Sequence, residues 1–283
     1  MKDKKIKANG MTQIMMDLLP KRVESNVYLN HKMDFTNLKK YLENVKKKNN
    51  DITYFYAMVT ALGKIFYNRE KLNYYIRNRH IYKHRDIVIS FVAKVSFEDY
   101  SKEVMVLIPI EPKDNLYTIS EKIKSKINNI RNKNTDYEDN GANKAINIFG
   151  KLPNILRVPF VGFVKILDKF NMLPKSFIED NLYYSSVIVS NLGSIKCGTV
   201  YHHLCDFGTC SGIITIGEIK DEEVLINGKK EIRSMCEFGI NLDERIADGY
   251  YFAKSVKYLE YVFNNPKLLE DTIDTKIEIE EIR

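Results

Sequence analysis

Residues 241–252 read Asn-Leu-Asp-Glu-Arg-Ile-Ala-Asp-Gly-Tyr-Tyr-Phe, and this stretch joins a segment with strand character to a segment with helix character. Before it, residues 223–242 contain Asn227-Gly228, the dipeptide that most strongly predicts a β-hairpin. After it, apolar side chains recur at helical spacing, at Phe252, Val256, Leu259 and Phe263. Asp248 is a favourable N-cap for that helix. The charged residues 243–245 are therefore predicted to lie on the loop that precedes the last helix.

The rest of the chain mixes helices and strands. Amphipathic runs predict a helix after Asp34, a second helix capped by Asp51, and a third over 116–131. Runs rich in β-branched residues predict strands at 86–95, 104–110, 185–190 and 212–219. This order, with a late antiparallel hairpin, predicts an α/β fold, a two-layer sandwich of a mixed sheet with helices. No Gly-rich turn between a strand and a helix indicates a nucleotide-binding fold.

Composition favours one domain over residues 1–283. Hydrophobic residues make up 44% of the 283-residue chain, and no linker or repeat divides it. The net charge is +7, partly from Lys46, Lys47 and Lys48, which are typical of a solvated helix face. Basic charge favours an anionic ligand, and we expect no nucleic acid because no such motif occurs. The four cysteines lack the spacing of a disulfide scaffold, and the sequence shows no signal peptide and no transmembrane segment. We therefore predict a cytoplasmic protein.

The opening stretch resembles the active-site signature of the CoA-dependent acyltransferases. In the dihydrolipoyl acyltransferases of 2-oxoacid dehydrogenase complexes this signature is Asp-His-Arg-x-x-Asp-Gly, and chloramphenicol acetyltransferase has a related His-His-x-x-x-Asp-Gly. Asp243, Arg245, Asp248 and Gly249 are in register, but Glu244 occupies the position of the histidine. Other segments resemble the same family in order and spacing over about residues 11–270, namely Val27–Phe35, Leu72-Asn73, Val187–Gly193 and Ile214–Ile219.

The resemblance implies a chloramphenicol acetyltransferase-like fold, a homotrimer with its sites between subunits, and coenzyme A or acyl-CoA as substrate. It gives Ser190 the role of hydrogen-bond donor to the tetrahedral oxyanion. Asp248 matches the aspartate that holds the loop, generally through an arginine, and Asn191 and Gly193 are expected to contact CoA. About ten residues precede the first matching segment, so we expect no lipoyl domain and no covalent lipoyl group. No metal is expected.

Glu244 decides between two functions. In the family, a histidine takes the proton of the acceptor thiol. A free carboxyl has a pKa near 4.3, so a glutamate at this position predicts weak thiol deprotonation at neutral pH. The first hypothesis is an acyltransferase with an altered base, acting on a small thiol or hydroxyl acceptor. The second is a catalytically inactive homologue that binds an acyl-CoA or a partner.

Two other features need an interpretation. His202-His203-Leu204-Cys205-Asp206-Phe207-Gly208 imitates the chloramphenicol acetyltransferase signature, but its aspartate comes one residue early and a strand follows. We interpret it as a coincidence, and its spacing does not fit zinc. The alternative is that His202 or His203, which follow the Ser190 strand, reaches the channel between subunits through which CoA enters in the resembling family. An apolar insertion near 143–175, interrupted by Pro153 and Pro159, predicts two short helices packed on the domain or on a trimer neighbour. Covering the channel mouth and lying on a membrane surface are the alternatives.

Overall fold

A six-stranded mixed sheet organises the molecule. The computed structural model describes residues 3–47, 51–94, 100, 103–132 and 149–278. In these residues the strands are β1 (Lys4–Ile6), β2 (Asn26–Asp34), β3 (Tyr74–Arg77), β4 (His80–Lys83), β5 (Ile87–Lys94), β6 (Glu103–Ile110), β7 (Val187–Asn191), β8 (Gly212–Ile226) and β9 (Lys229–Asp243). The large sheet has the order β2-β9-β8-β7-β5-β6, and a small sheet has the order β1-β4-β3. Strand β7 runs parallel to β5 and β8, while the other neighbours are antiparallel.

Helices cover one face of the large sheet. The described helices are α1 (Gly10–Leu18), α2 (Thr36–Lys47), α3 (Tyr54–Asn68), α4 (Leu116–Asn132), α5 (Asn154–Lys169), α6 (Lys175–Ile178) and α7 (Gly249–Asn264). Helices α2, α3, α4 and α7 contact one another or the sheet. Alternate strand residues such as Ile89, Val106, Val189, Ile214 and Phe238 are buried in the core beneath these helices. The intervening residues point to the other face, called the open face below. No described helix is long and apolar enough to cross a membrane.

The predicted hairpin joins the two longest strands. Asn227 and Gly228 have φ values of 51° and 79°, the left-handed pair that a two-residue type I′ turn requires. Strands β8 and β9 pair from Ile226 and Lys229 down to Gly212 and Leu242, with an irregularity between Ile216 and Ile219. The hairpin thus carries the chain to the loop at 243–248.

Three local predictions need comment. The cap of α3 is Thr53, whose side chain accepts a hydrogen bond from the backbone N–H of Tyr56, so the prediction of Asp51 is wrong. The apolar insertion was expected to form two short helices, interrupted at Pro153 and Pro159. Among its described residues Phe149 and Gly150 are helical and the helix breaks at Pro153, as expected, but α5 continues through Pro159, which removes only one backbone N–H donor from that helix. The start of the predicted insertion, residues 143–148, lies outside the described residues.

The segment after Glu270 is charged in sequence, a pattern that predicts a surface-lying or frayed tail, but in the structure it is packed. Ile273 is fully buried and Ile277 is 7% exposed. The Lys64 ammonium of α3 donates to the carbonyl oxygens of Asp271 and Thr272 at 3.1 and 2.7 Å. Burial lowers the pKa of Lys64, and these two carbonyls solvate its charge. The C-terminal segment therefore completes the helical layer.

Candidate functional site

The loop after β9 is held by a buried ion pair. Asp243 is fully buried, and its carboxylate accepts hydrogen bonds from Arg245 Nε at 2.8 Å and Nη2 at 2.7 Å. Ser25 Oγ donates to the same carboxylate at 3.1 Å. Arg245 Nη1 also donates to the carbonyl oxygen of Leu19 at 2.8 Å. A bidentate pair with these extra hydrogen bonds fixes the backbone on both sides of residue 244.

Glu244 is the residue of this loop whose side chain remains available to bind a ligand or accept a proton. Its backbone N–H donates to the carbonyl oxygen of Ser25 at 3.0 Å, which anchors the residue. Its half-buried carboxylate makes no hydrogen bond or ion pair with another described residue. Asp243, the neighbouring carboxylate, is neutralised by Arg245 and so supplies no uncompensated like charge. The loop thus presents a free carboxylate on a fixed backbone.

Asp248 caps α7. Its exposed carboxylate accepts a hydrogen bond from the backbone N–H of Tyr251 at 2.8 Å. Among the described residues it makes no contact with an arginine, because Arg245 is engaged by Asp243. Within one chain, the structure therefore gives Asp248 the capping role and gives the arginine-mediated anchoring to Asp243.

Ser190 lies on the open face near the end of β7. Val187 and Val189 point into the core, and Ser190 pairs in register with Thr215 of β8, which pairs with Gly239 of β9. The half-buried Ser190 hydroxyl has no hydrogen-bond partner among the described residues. It is therefore free to donate a hydrogen bond to a ligand on this face.

An extended segment, residues 199–204, crosses the open face beside Ser190. Thr215 Oγ1 donates to the carbonyl oxygen of Val200 at 2.5 Å, and the side-chain amide of Asn241 donates to that of His202. A Cβ at Gly239 would lie 2.7 Å from the Val200 carbonyl oxygen, so only glycine allows this close approach. The His202 and His203 side chains are exposed. They lie on a segment bound to the sheet and not on a loop before a helix.

Asn191 and Gly193 lie at the turn after β7. With the N-terminal end of α3 they line a cleft of about 550 Å³, which also includes Thr53, Tyr54 and Lys196. A Cβ at Gly193 would lie 2.5 Å from the carbonyl oxygen of Gly217, so this glycine is required for packing whatever it binds. The cleft remains a candidate site for part of a ligand.

The family model of the 2-oxoacid dehydrogenase acyltransferase catalytic domain matches residues 175–270. Over 93% of this chain and 95% of that one, the structure is similar to a probable dihydrolipoamide acetyltransferase from Listeria monocytogenes, with 17% identity and a TM-score of 0.59. A dihydrolipoamide acetyltransferase from Azotobacter vinelandii aligns over 93% of both chains with 15% identity and a TM-score of 0.58. A chloramphenicol acetyltransferase aligns over 90% of this chain and 96% of that chain with 11% identity and a TM-score of 0.52.

The chain has the fold of the CoA-dependent acyltransferases. No curated protein sequence matches it significantly. The predicted fold class, a mixed sheet layered with helices in the manner of chloramphenicol acetyltransferase, is confirmed.

Within this acyltransferase fold, one chain does not bring Ser190 and Glu244 together. Ser190 is level with Gly239, and Glu244 lies five residues farther along the direction of β9. At about 3.4 Å per residue and about 4.8 Å per strand, the two positions are roughly 20 Å apart. A donor and a base for one reaction both need to lie about 3 Å from the reacting atoms. If they act together, they therefore come from different subunits.

A polar network that connects α5 with β3 and with the segments before β7 and β8 was not predicted from the sequence. Asp168 of α5 accepts hydrogen bonds from Tyr184 Oη and from the backbone N–H of Gly208, both at 2.8 Å, and pairs with Arg77 at 3.5 Å. Burial, and then the Asp168 charge, raise the pKa of Tyr184. The sequence does contain one signal for this contact, because Asp168 is the single acidic residue of α5. The network holds α5 against the segment that leads into β8.

Proposed function

We propose that the chain is a CoA-dependent acyltransferase that works as a homotrimer in a reducing cytoplasm. It moves an acyl group from a CoA thioester to a small thiol or hydroxyl acceptor. The observation that carries the proposal is the pair of unpartnered polar groups described above, the Ser190 hydroxyl and the Glu244 carboxylate. Both lie on rigid supports, a paired strand end and a loop fixed by a buried ion pair.

The spacing of these residues supports the proposal. In the Azotobacter vinelandii dihydrolipoamide acetyltransferase, a serine, a histidine and an asparagine have roles in the catalytic mechanism. There the serine precedes the histidine by 52 residues and the asparagine follows it by four. Here Ser190 precedes Glu244 by 54 residues, and Asp248 follows Glu244 by four. The hydroxyl is thus kept, while the histidine position holds a carboxylate.

The residues suggest a balanced transfer step. The acceptor proton passes to the Glu244 carboxylate of one subunit as the acceptor sulfur or oxygen attacks the thioester carbonyl carbon. The Ser190 hydroxyl of the adjacent subunit donates a hydrogen bond to the resulting oxyanion. When the tetrahedral intermediate collapses, the C–S bond to CoA breaks, and Glu244 returns the proton to the CoA thiolate. No metal and no covalent lipoyl group enters this step.

A second candidate is a homologue that binds acyl-CoA without turnover. It is favoured by the glutamate at position 244, because the matching position in the family holds the histidine that takes the acceptor proton. In both candidates acyl-CoA binds along the open face, so the two differ only in turnover.

Release of free CoA from acyl-CoA across a panel of thiol and hydroxyl acceptors tests the proposal. We expect slow turnover by the wild type, loss of at least tenfold in Ser190→Ala, and a gain of at least tenfold in Glu244→His, because imidazole has a pKa near neutrality. Glu43→His, at an exposed position of α2 on the helical face, is the control and leaves the rate unchanged.

The results separate the two candidates. Binding of acyl-CoA without CoA release in either the wild type or Glu244→His supports the non-catalytic homologue. Absence of CoA binding at millimolar concentration contradicts both candidates.

A further inference from the structure

An apolar cavity of about 400 Å³ lies between α5 and the body of the domain. Its walls come from three places: β6, the inner side of α5, and the segments that flank β7. The side chains that define it are Met105, Phe160, Val164, Phe177, Tyr183 and Phe207. Burial raises the pKa of the Tyr183 phenol, in agreement with an apolar environment. This volume and lining are typical of a site for a small apolar ligand.

The register of the sheet places this cavity next to Ser190. Met105 pairs with Val92 in β5. Val92 follows Phe91, which pairs with Val189, so Val92 is level with Ser190. All three side chains lie on the open face, since their neighbours Val106, Phe91 and Val189 are in the core. Two strand spacings, about 10 Å, separate Met105 from Ser190. Val92, between them, is 45% exposed, so the surface there is open.

We propose that this cavity receives the acyl chain of the thioester substrate, and that the substrate class is a linear aliphatic acyl group of medium length. The inference rests on the proposed function, in which the thioester carbonyl lies at the Ser190 hydroxyl. An acetyl group is too short to span the distance from that carbonyl to Met105. A longer alkyl chain enters the cavity and is removed from water there.

The polar groups at the rim suit this occupant. Arg157 and Lys165 are the cationic side chains of the lining. Arg157 is engaged, because its guanidinium donates to the carbonyl oxygen of Gly150 at 3.0 Å and to the side chain of Asn154. The lining also includes Asp180 and Asn181, and the Asn181 side-chain oxygen already accepts a hydrogen bond from the backbone N–H of Tyr183 at 3.0 Å. Most of the wall is apolar, so a charged acyl chain would lose much of its hydration there.

Calorimetry with CoA, acetyl-CoA and octanoyl-CoA tests the inference. Each fully buried methylene strengthens binding by roughly fourfold, so we expect octanoyl-CoA to bind at least about tenfold more tightly than acetyl-CoA. Val164→Phe fills the cavity from the inner side of α5 and removes this gain. Val158→Phe, the same substitution at a 66% exposed position of the same helix, keeps it. Unchanged affinity for CoA itself shows that each variant is folded.

The outcomes distinguish the inference from the proposed function. Equal affinity for acetyl-CoA and octanoyl-CoA, or a gain that survives in Val164→Phe, overturns the acyl-chain assignment and leaves the acyltransferase proposal intact. Failure of all three ligands to bind overturns the proposed function, and the inference falls with it.

Discussion

At the scale of single residues, the Glu244 side chain is not one of the groups that fix the conformation of its loop. Asp243, Arg245 and Ser25 hold the backbone through buried hydrogen bonds, and the Glu244 side chain takes no part in them. The loop geometry therefore does not depend on which side chain occupies position 244. This independence is the reason that Glu244→His is an informative variant, because it changes the proton acceptor and leaves its support in place.

His84 makes the stability of the fold depend on pH. Burial lowers the pKa of His84 to about 4, although the Asp3 charge and the contact of Nε2 with the Thr209 carbonyl oxygen at 3.3 Å act in the opposite direction. In the unfolded chain the pKa of histidine is about 6.5. Between these values the unfolded state binds more protons, so the free energy of unfolding falls as the pH drops from 6.5 to 4.

We expect His84→Gln to lose less stability than the wild type between pH 7 and pH 4.5, by up to about 3 kcal/mol. Urea unfolding at the two pH values measures this difference. Glutamine retains an N–H donor for the Thr209 carbonyl, so the difference reports the imidazole together with its interaction with Asp3. His80→Gln, at a half-buried position in β4, is the control. Equal loss of stability in His84→Gln and wild type would contradict the assignment.

At the scale of secondary structure, the C-terminal segment acts as part of the helical layer. Ile273 packs against α3 at Gly63, where a Cβ would lie 3.3 Å from Ile273 Cδ1. The backbone N–H of Ile273 donates to the carbonyl oxygen of Asp114 at 2.8 Å. Glycine at position 63 therefore leaves the space that the isoleucine fills.

Removing the Ile273 side chain should be costly. We expect Ile273→Ala to lower the free energy of unfolding by about 2–5 kcal/mol, because it leaves a cavity against α3. Ile232→Ala, at a 67% exposed position in β9, should cost less than about 0.5 kcal/mol. Chemical denaturation at neutral pH measures both. Equal small effects would show that the segment is not packed in solution.

The sequence predicts the elements with strong local signals. Asn227-Gly228 defines the hairpin because few residues other than these adopt left-handed φ values easily, and Asp248 and the apolar spacing after it define α7. The packing of residues 271–278 escapes such reasoning, because its cause is the remote Lys64. The small sheet and α1 were also missed, since their strands and helix are short.

The candidate site also contains parts that local sequence signals predict and parts that depend on contacts between distant residues. Ser190, Glu244 and Asp248 remain predictions from the resemblance, and the sequence places them in the fold because each lies in or next to a regular element with a characteristic sequence. The cavity beneath α5 is not found, because it is made by the tertiary contact of Asp168 with Tyr184 and Gly208. Linear periodicity shows that α5 is apolar but does not show which side faces the domain.

At the scale of the whole molecule, the roughly 20 Å between Ser190 and Glu244 requires an assembly if both act in one site. We expect a homotrimer of about 100 kDa, three chains of 33.1 kDa. The sequence of residues 271–283 favours a free trimer over a larger shell of many trimers. Its isoleucines are interspersed with acidic residues, and an apolar contact between trimers would bury unpaired carboxylates at a high cost in free energy. Size exclusion with light scattering measures the mass.

Mixed trimers give the sharper test of the assembly. Co-refolded Ser190→Ala and Glu244→Ala chains should regain part of the activity that each lacks alone, since some interfaces then combine two intact residues. Ser190→Ala mixed with Glu43→Ala is the control for subunit mixing. Its activity should equal that of Glu43→Ala multiplied by the fraction of Glu43→Ala chains in the mixture. A monomeric mass contradicts the shared site, and a megadalton particle contradicts the free trimer.

The C-terminal packing also bears on the order of events during protein synthesis. Strand β2 pairs along its length with β9, and Lys64 obtains its carbonyl partners only from residues 271 and 272. A nascent chain that has emerged as far as α4 consequently has β2 without its partner strand and Lys64 without its two carbonyl partners. Such contacts between distant parts of a chain slow folding. The complete sheet and helical layer therefore form only after β9 and residues 271 and 272 have been synthesised.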